Sequence, residues 1–248
     1  MTASAVFPRN SRSTSIPEFH LRSASSLVTA ALLTLSSMAT GSTIALDVGH
    51  SRGRPGAISA SGVGEFAFNL ALATDVARSL GGVAIKRVGF DGQMQSLTAR
   101  TAEAEGARLF LSIHHDSVQP QYVPAADRFA GYSLFVSRKN VDPTGSLACA
   151  RDIADELLSL GRRPTLHHAE AIPGENRPLA DARRGIYWFD DLVVLRTAQQ
   201  PAVLFEAGVI VNPNEEALLA NDQARKAIAG AVARGVTACL SNGAAKQR

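Results

Sequence analysis

The chain is poor in cysteine: Cys149 and Cys239 are its only two among 248 residues. They are too few for a thiolate metal site, which needs a third or fourth sulfur. Both fall in helix-like segments and read as small core residues. A cross-link between them stays open, because a single pair has no spacing logic and geometry decides. Charge of one sign is lacking too. The formal net charge is +3, and residues 1–39 supply Arg9, Arg12 and Arg22 against Glu18, which leaves +1 for the remainder. So neutral a body lacks the clustered basic residues of a nucleic-acid footprint, and no nucleic-acid partner is expected. No apolar run approaches the roughly 20 residues of a bilayer-spanning helix. Internal repeats and low-complexity tracts are absent, and nothing marks a second domain. What remains, with 46% hydrophobic and 19% charged residues, is an ordinary globular composition.

The N-terminal segment reads separately. Arg9, Arg12 and Arg22 precede an apolar stretch from Leu27 to Leu35, followed by Ser36-Ser37-Met38-Ala39. A positive flank, a short apolar core and small residues form the pattern of a cleaved secretory signal. Residues 1–39 are therefore expected to be a signal peptide and residues 40–248 the folded body, periplasmic or secreted. No Arg-Arg pair precedes the core and no Cys follows it, so neither a twin-arginine route nor a stable membrane anchor is expected.

Past that point, short apolar runs alternate with amphipathic segments. Thr43 to Val48, Val83 to Val88, Leu109 to Ile113, Tyr132 to Val136 and Ala202 to Phe205 read as strands. Helices are expected at Glu65–Leu80, Leu97–Glu105, residues 143–160 behind the Asp142-Pro143 start, 214–220 and 223–240. Residues 162–190 show no clear period and read as surface loops near the site. The alternation predicts an α/β fold, a three-layer α/β/α sandwich around a mostly parallel or mixed sheet.

Three runs end in residues that carry chemistry: Asp47-Val48-Gly49-His50, Ser112-Ile113-His114-His115-Asp116 and Pro201 through Glu206. Strand ends are where such a sheet presents side chains to an open edge. Of the adjacent pair His114-His115 only one can point into a site, since neighbouring extended residues face opposite ways. Glu65 opens the first helix, a position the helix dipole favours for any carboxylate. Glu206 follows an apolar run, where a buried carboxylate is costly without a partner. Catalytic zinc sites use three protein ligands and an open position for water, whose pKa falls to about 7. A neighbouring carboxylate then moves the water's proton. His50, Glu65, His114 and Glu206 are candidates for these parts.

The order Asp-x-Gly-His, Glu opening a helix, Ser-Ile-His and Pro-Ala-Val-Leu-x-Glu-x-Gly resembles the zinc-dependent N-acetylmuramoyl-L-alanine amidases, over residues 43–241. The resemblance is most specific at Leu111–His114 and Pro201–Asn212. It implies that His50, Glu65 and His114 bind Zn²⁺, with His114 chosen over His115 because the family ligand directly follows Ser-Ile. Glu206 would be the general acid/base. The implied reaction is hydrolysis of the amide between N-acetylmuramic acid and the L-alanine of the stem peptide, on peptidoglycan or its fragments. An unknown activator belongs to the same expectation. Leu97 to Thr101 resembles the family's Leu-x-x-Arg helix, so Arg100 is read as structural or site-supporting, and Asn212 as turn-forming.

The chain departs from the family pattern at Ser51-Arg52-Gly53, at Ala102–Glu105 and at Ala207-Gly208-Val209, which leaves substrate preference open. About 15 residues separate Asp116 from Gly131, where division-regulated relatives carry a long inhibitory insertion, so an open site is expected. A zinc hydrolase of another amide and a non-catalytic wall-binding protein of the same fold stay as alternatives. His167 and His168 in the 162–190 segment are read as solvated or as helping an oxyanion.

Overall fold

The structure, a computed structural model, describes residues 43–93 and 95–245. The signal-peptide reading of residues 1–39 lies outside the described residues. Among the described residues, seven strands form one mixed sheet: β1 (Thr43–Val48), β2 (Ala84–Val88), β3 (Phe110–Asp116), β4 (Ser133–Val136), β5 (Leu179–Asp181), β6 (Ile186–Trp188) and β7 (Ala202–Val209). Their order is β2-β1-β3-β7-β4-β6-β5. β2, β1, β3 and β7 run parallel, while β4 lies antiparallel to β7.

Among the described residues, six α-helices cover the sheet: α1 (Glu65–Ser79), α2 (Leu97–Glu103), α3 (Pro143–Ser159), α4 (Val193–Thr197), α5 (Pro213–Ala220) and α6 (Asp222–Ala245). α1, α3 and α6 pack together on one face, and α2 pairs with α4 on the other. The three-layer α/β fold expected from the alternation is therefore present. Strand alternation sorts the side chains. Leu46, Leu111, Ile113 and Phe205 join Leu72, Val76, Ile153 and Val232 in the larger core, while Ala45, Phe110 and Leu204 join Val194 and Leu195 in the smaller one. Each fully buried Leu or Ile contributes about 1.5–3 kcal/mol. Most of them lie under α1, α3 and α6, so that face carries the fold and the other has room for polar groups.

The helix starts follow their sequence signals. The Asp142 side chain accepts from Gly145 N at 2.7 Å ahead of Pro143. Asn212 caps α5, accepting from Asn214 N at 2.8 Å. α3 and α6 approach so closely that a Cβ on Gly235 would overlap the Ile153 backbone.

Cys149 and Cys239 are core residues, as read, and the cross-link left open is a disulfide joining α3 to α6, with Cα atoms 4.8 Å apart. Two expectations need correction. β3 does not end at Ile113, nor β7 at Phe205: they run to Asp116 and Val209. Apolar character stops where the site begins, yet ladder bonding continues, so His114 and Glu206 are mid-strand neighbours in register. Residues 162–190 are not surface loops alone. They contain β5, β6 and two short 3₁₀ turns, and they bury His167 and His168.

Candidate active site

The site begins where β1 leaves the sheet. Gly49 donates to Ile113 O at 3.0 Å, and a Cβ there would overlap the His114 ring. His50 then adopts φ of 66°, a left-handed conformation uncommon outside glycine. Its ring lies edge-on to that of His114, with centroids 4.9 Å apart. The turn is held from below by α2. Buried Arg100 donates through Nη1 to Asp47 Oδ1 and to Val48 O, both at 2.6 Å, and through Nη2 to His50 O. Ser112 Oγ donates to the other Asp47 oxygen at 2.6 Å. Arg100 is thus site-supporting. Its partners Asp47 and Ser112 belong to the Asp-x-Gly-His and Ser-Ile-His runs, where the sequence alone marks no supporting role for either.

Glu65, the first residue of α1, is buried between the histidines. Its Oε2 lies 2.9 Å from His50 Nε2, and its Oε1 lies 3.0 Å from His114 Nδ1. Three further donors hold it: Asn69 Nδ2 at 3.0 Å, His115 N at 3.2 Å and Ala57 N at 3.1 Å. Burial would raise this carboxyl's pKa, but the hydrogen bonds and charges of His114 and His50 outweigh it and hold it well below the usual range. A Cβ on Gly56, whose φ is 80°, would overlap both Glu65 and the His50 ring. Asn69 stands one turn after Glu65 on the same helix face, a spacing that sequence reading can use.

The structure brings His50, Glu65 and His114 together, each offering a donor atom within 4.8 Å of the others. His115 points to the opposite face of β3. There its Nδ1 meets Asn69 Oδ1 at 2.7 Å, and burial pushes its pKa down to about 3. Such a ring stays neutral and supports Glu65 through Asn69.

Glu206 sits on β7 beside His114 of β3, as its register partner. Its Oε2 is buried and has no hydrogen-bond partner. Burial, with the Asp116 and Glu65 charges adding, raises its pKa well above the usual carboxylate range. A cavity of about 270 Å³ opens beside it, lined among others by His50, His114, His168 and Leu204. A second, of about 450 Å³, extends from His50 and His114 over Arg54, Leu97 and Arg100. No residue of the 117–131 segment lines either one. The His50 side chain remains 34% exposed.

Sequence reading missed a second cluster. Asp116 follows His114 by two residues on β3, and His167 and His168 come from the 162–190 segment. All three are buried. His168 Nε2 lies 2.7 Å from Asp116 Oδ2, and its Nδ1 lies 2.8 Å from Glu175 Oε2. Burial opposes charge on His168, but Asp116 and Glu175 outweigh it and push its pKa up to about 9. His167 is driven the other way by burial. Its Nδ1 meets Thr165 Oγ1 at 2.8 Å.

Two imidazoles and a carboxylate converging in an open cleft make a donor set of the kind that catalytic zinc centres use. Set in a three-layer α/β fold beside an unpaired carboxylate, it describes a metallohydrolase arrangement. The chain belongs to the N-acetylmuramoyl-L-alanine amidase family, whose model, Amidase_3, matches residues 44–238. Among curated proteins, N-acetylmuramoyl-L-alanine amidase AmiC of Neisseria meningitidis serogroup B is 26% identical over 229 residues, covering 82% of this chain and 54% of that protein. The chain thus spans about half the length of that relative. The catalytic domain of CwlV, an N-acetylmuramoyl-L-alanine amidase of Bacillus (Paenibacillus) polymyxa, superposes with a TM-score of 0.63 at 25% identity, covering 80% of this chain and 98% of CwlV. The N-acetylmuramoyl-L-alanine amidase of Clostridium difficile 630 shares the fold at a TM-score of 0.67 and 23% identity, over 81% and 97% of the two chains.

Proposed function

We propose that this protein is a zinc-dependent N-acetylmuramoyl-L-alanine amidase acting on peptidoglycan or its fragments outside the cytoplasm. The observation that carries the reading is Glu206: a half-buried carboxylate whose Oε2 is buried and without a hydrogen-bond partner, in register with His114 and facing a cavity that His50 and His114 share. His50, Glu65 and His114 would hold the zinc. The fit rests on the donor set and on two glycines, Gly49 and Gly56, whose missing side chains leave room for the converging rings and carboxylate. Zinc in that place supplies Lewis acidity, polarising a carbonyl and lowering the pKa of water to about 7.

The chain's own groups do the rest. Glu206 takes the proton from the attacking water as the new C–O bond forms at the lactyl carbonyl carbon. It returns that proton to the alanine nitrogen as the C–N bond breaks, leaving a lactyl carboxyl and a free peptide amine. A carboxyl with a raised pKa holds a proton more readily than a free one, which suits its delivery to the leaving nitrogen. Arg100 and Asn69 position the ligands through Asp47, His50 O and Glu65.

Location in the periplasm or outside the cell is supported by the signal-like pattern of residues 1–39 and by the Cys149–Cys239 disulfide, which persists in oxidising compartments. Among the described residues, no helix is long and apolar enough to cross a membrane. An activating partner stays within the reading, as does residues 40–248 being the catalytic body. Glu206→Gln keeps the shape and removes the base. Turnover of peptidoglycan should fall by about 10²–10⁴-fold while zinc content stays at the wild-type level. Activity surviving the change would remove Glu206 from the mechanism.

A further inference from the structure

The second cluster has features that an ion pair alone does not explain. In His167 and His168 the Nδ1 atom is already engaged, with Thr165 Oγ1 and Glu175 Oε2 respectively, each at 2.8 Å. Metal-binding histidines are oriented in this way, by a second partner on the far ring nitrogen. Both Nε2 atoms face the same oxygen, Asp116 Oδ2, at 2.7 Å from His168 and 3.5 Å from His167. Ligands about 2.1 Å from an ion at tetrahedral angles stand roughly 3.4 Å apart, which the His167 separation matches, while the His168 contact is a direct hydrogen bond that an ion would have to replace. The rings are packed with centroids 3.9 Å apart, and His167 Nε2 is a buried nitrogen with no hydrogen-bond partner. His167 is 7% exposed and His168 and Asp116 are 8% exposed, so no bulk water meets that nitrogen's need.

We propose that Asp116, His167 and His168 form a second divalent-metal site, separate from the one at His50, Glu65 and His114. Two imidazoles and a carboxylate select borderline ions such as Zn²⁺ or Co²⁺ over Mg²⁺ or Ca²⁺. Binding displaces the proton shared between His168 and Asp116, since imidazole must be neutral to ligate. The ion joins β3 to the 165–169 turn, which closes the cavity wall next to Glu206 through His168. Its role is to fix that wall, and it holds whether or not the first cluster is catalytic.

The test is metal stoichiometry of the untagged full chain, stripped with a chelator and titrated with Zn²⁺, then with Co²⁺ followed by visible absorbance. Two equivalents are expected for the wild type. The His167→Ala, His168→Ala pair should bind one, and so should the His50→Ala, His114→Ala pair. Asp116→Asn, nearly isosteric, serves as a second variant if the double alanine change fails to fold, and it too should bind one. A wild type whose single equivalent is lost in the His50→Ala, His114→Ala pair overturns the proposal, as does retention of the wild-type metal content by a folded Asp116→Asn or His167→Ala, His168→Ala protein. Failure of the first-cluster reading looks different: the His50→Ala, His114→Ala pair would bind as much metal as the wild type.

Discussion

Two histidine–carboxylate clusters share β3, one entered through His114 and the other through Asp116, and they are built in opposite ways. At the first, backbone shape does the work. Gly49, the left-handed His50 and Gly56 clear a space, and α2 grips the turn from beneath through Arg100. That leaves His50 about one-third exposed and faces the group toward open cavities. At the second, side chains do the work. Every imidazole nitrogen except His167 Nε2 has a partner, and the three residues are closed off from solvent. The contrast separates reactivity from rigidity: an accessible cluster with an unpaired carboxylate beside it suits turnover, while a sealed one suits holding a loop in place.

The comparison breaks most sharply at Arg100. Arg100→Met leaves Asp47, 1% exposed, without its counter-charge, and such a loss costs about 3–5 kcal/mol. Urea unfolding should show it, together with weaker metal binding at the first cluster alone. A loss under 1 kcal/mol would mean that Arg100 does not hold the turn. Gly49→Ala should act more gently. Its new Cβ displaces the His114 ring, so metal affinity at the first cluster should drop by about 10–100-fold, read by competition with a chelator. His115, on the opposite face of β3, should keep its contact with Asn69, and equal weakening at both clusters would argue against independent construction.

The smallest effect sharpens the link between the two regions. Arg162 donates to Glu215 at 2.8 and 2.9 Å and to Ala207 O at 3.1 Å, tying the entry of the 162–190 segment to β7. Burial would raise the Glu215 pKa, but Arg162 outweighs it and holds it below the ordinary range. Its contribution to stability is therefore complete above the unfolded carboxylate value of about 4.3. It is lost as pH falls through the lower folded value. Glu215→Gln should flatten that acid limb, measured as the fall in Tm between pH 5 and pH 3. An unchanged slope would show that the pair carries none of the acid sensitivity.

Much of this was legible in the sequence, for physical reasons. Strands buried on both faces read as apolar runs, and helices showed their period, so the layers followed. Strict alternation along an extended chain separates His114 from His115. Glu65, at a helix start, was readable as a carboxylate returning over the sheet. The rest was hidden where chemistry interrupts burial. Polar residues from His114 to Asp116 and from Glu206 onward mask strands that continue. β5 and β6, three residues each, are too short to show a period. The disulfide depended on α3 and α6 meeting, and the burial of His167 and His168 depended on β3 supplying Asp116. Both pairings are distant in sequence and fixed only by the fold.

Mass spectrometry of purified peptidoglycan after digestion with the zinc-loaded full chain tests the central claim most directly. Released stem peptides with a free N-terminal L-alanine, and glycan stripped of peptide, are the expected products. Cleavage at any other bond would contradict an amidase built on His50, Glu65, His114 and Glu206.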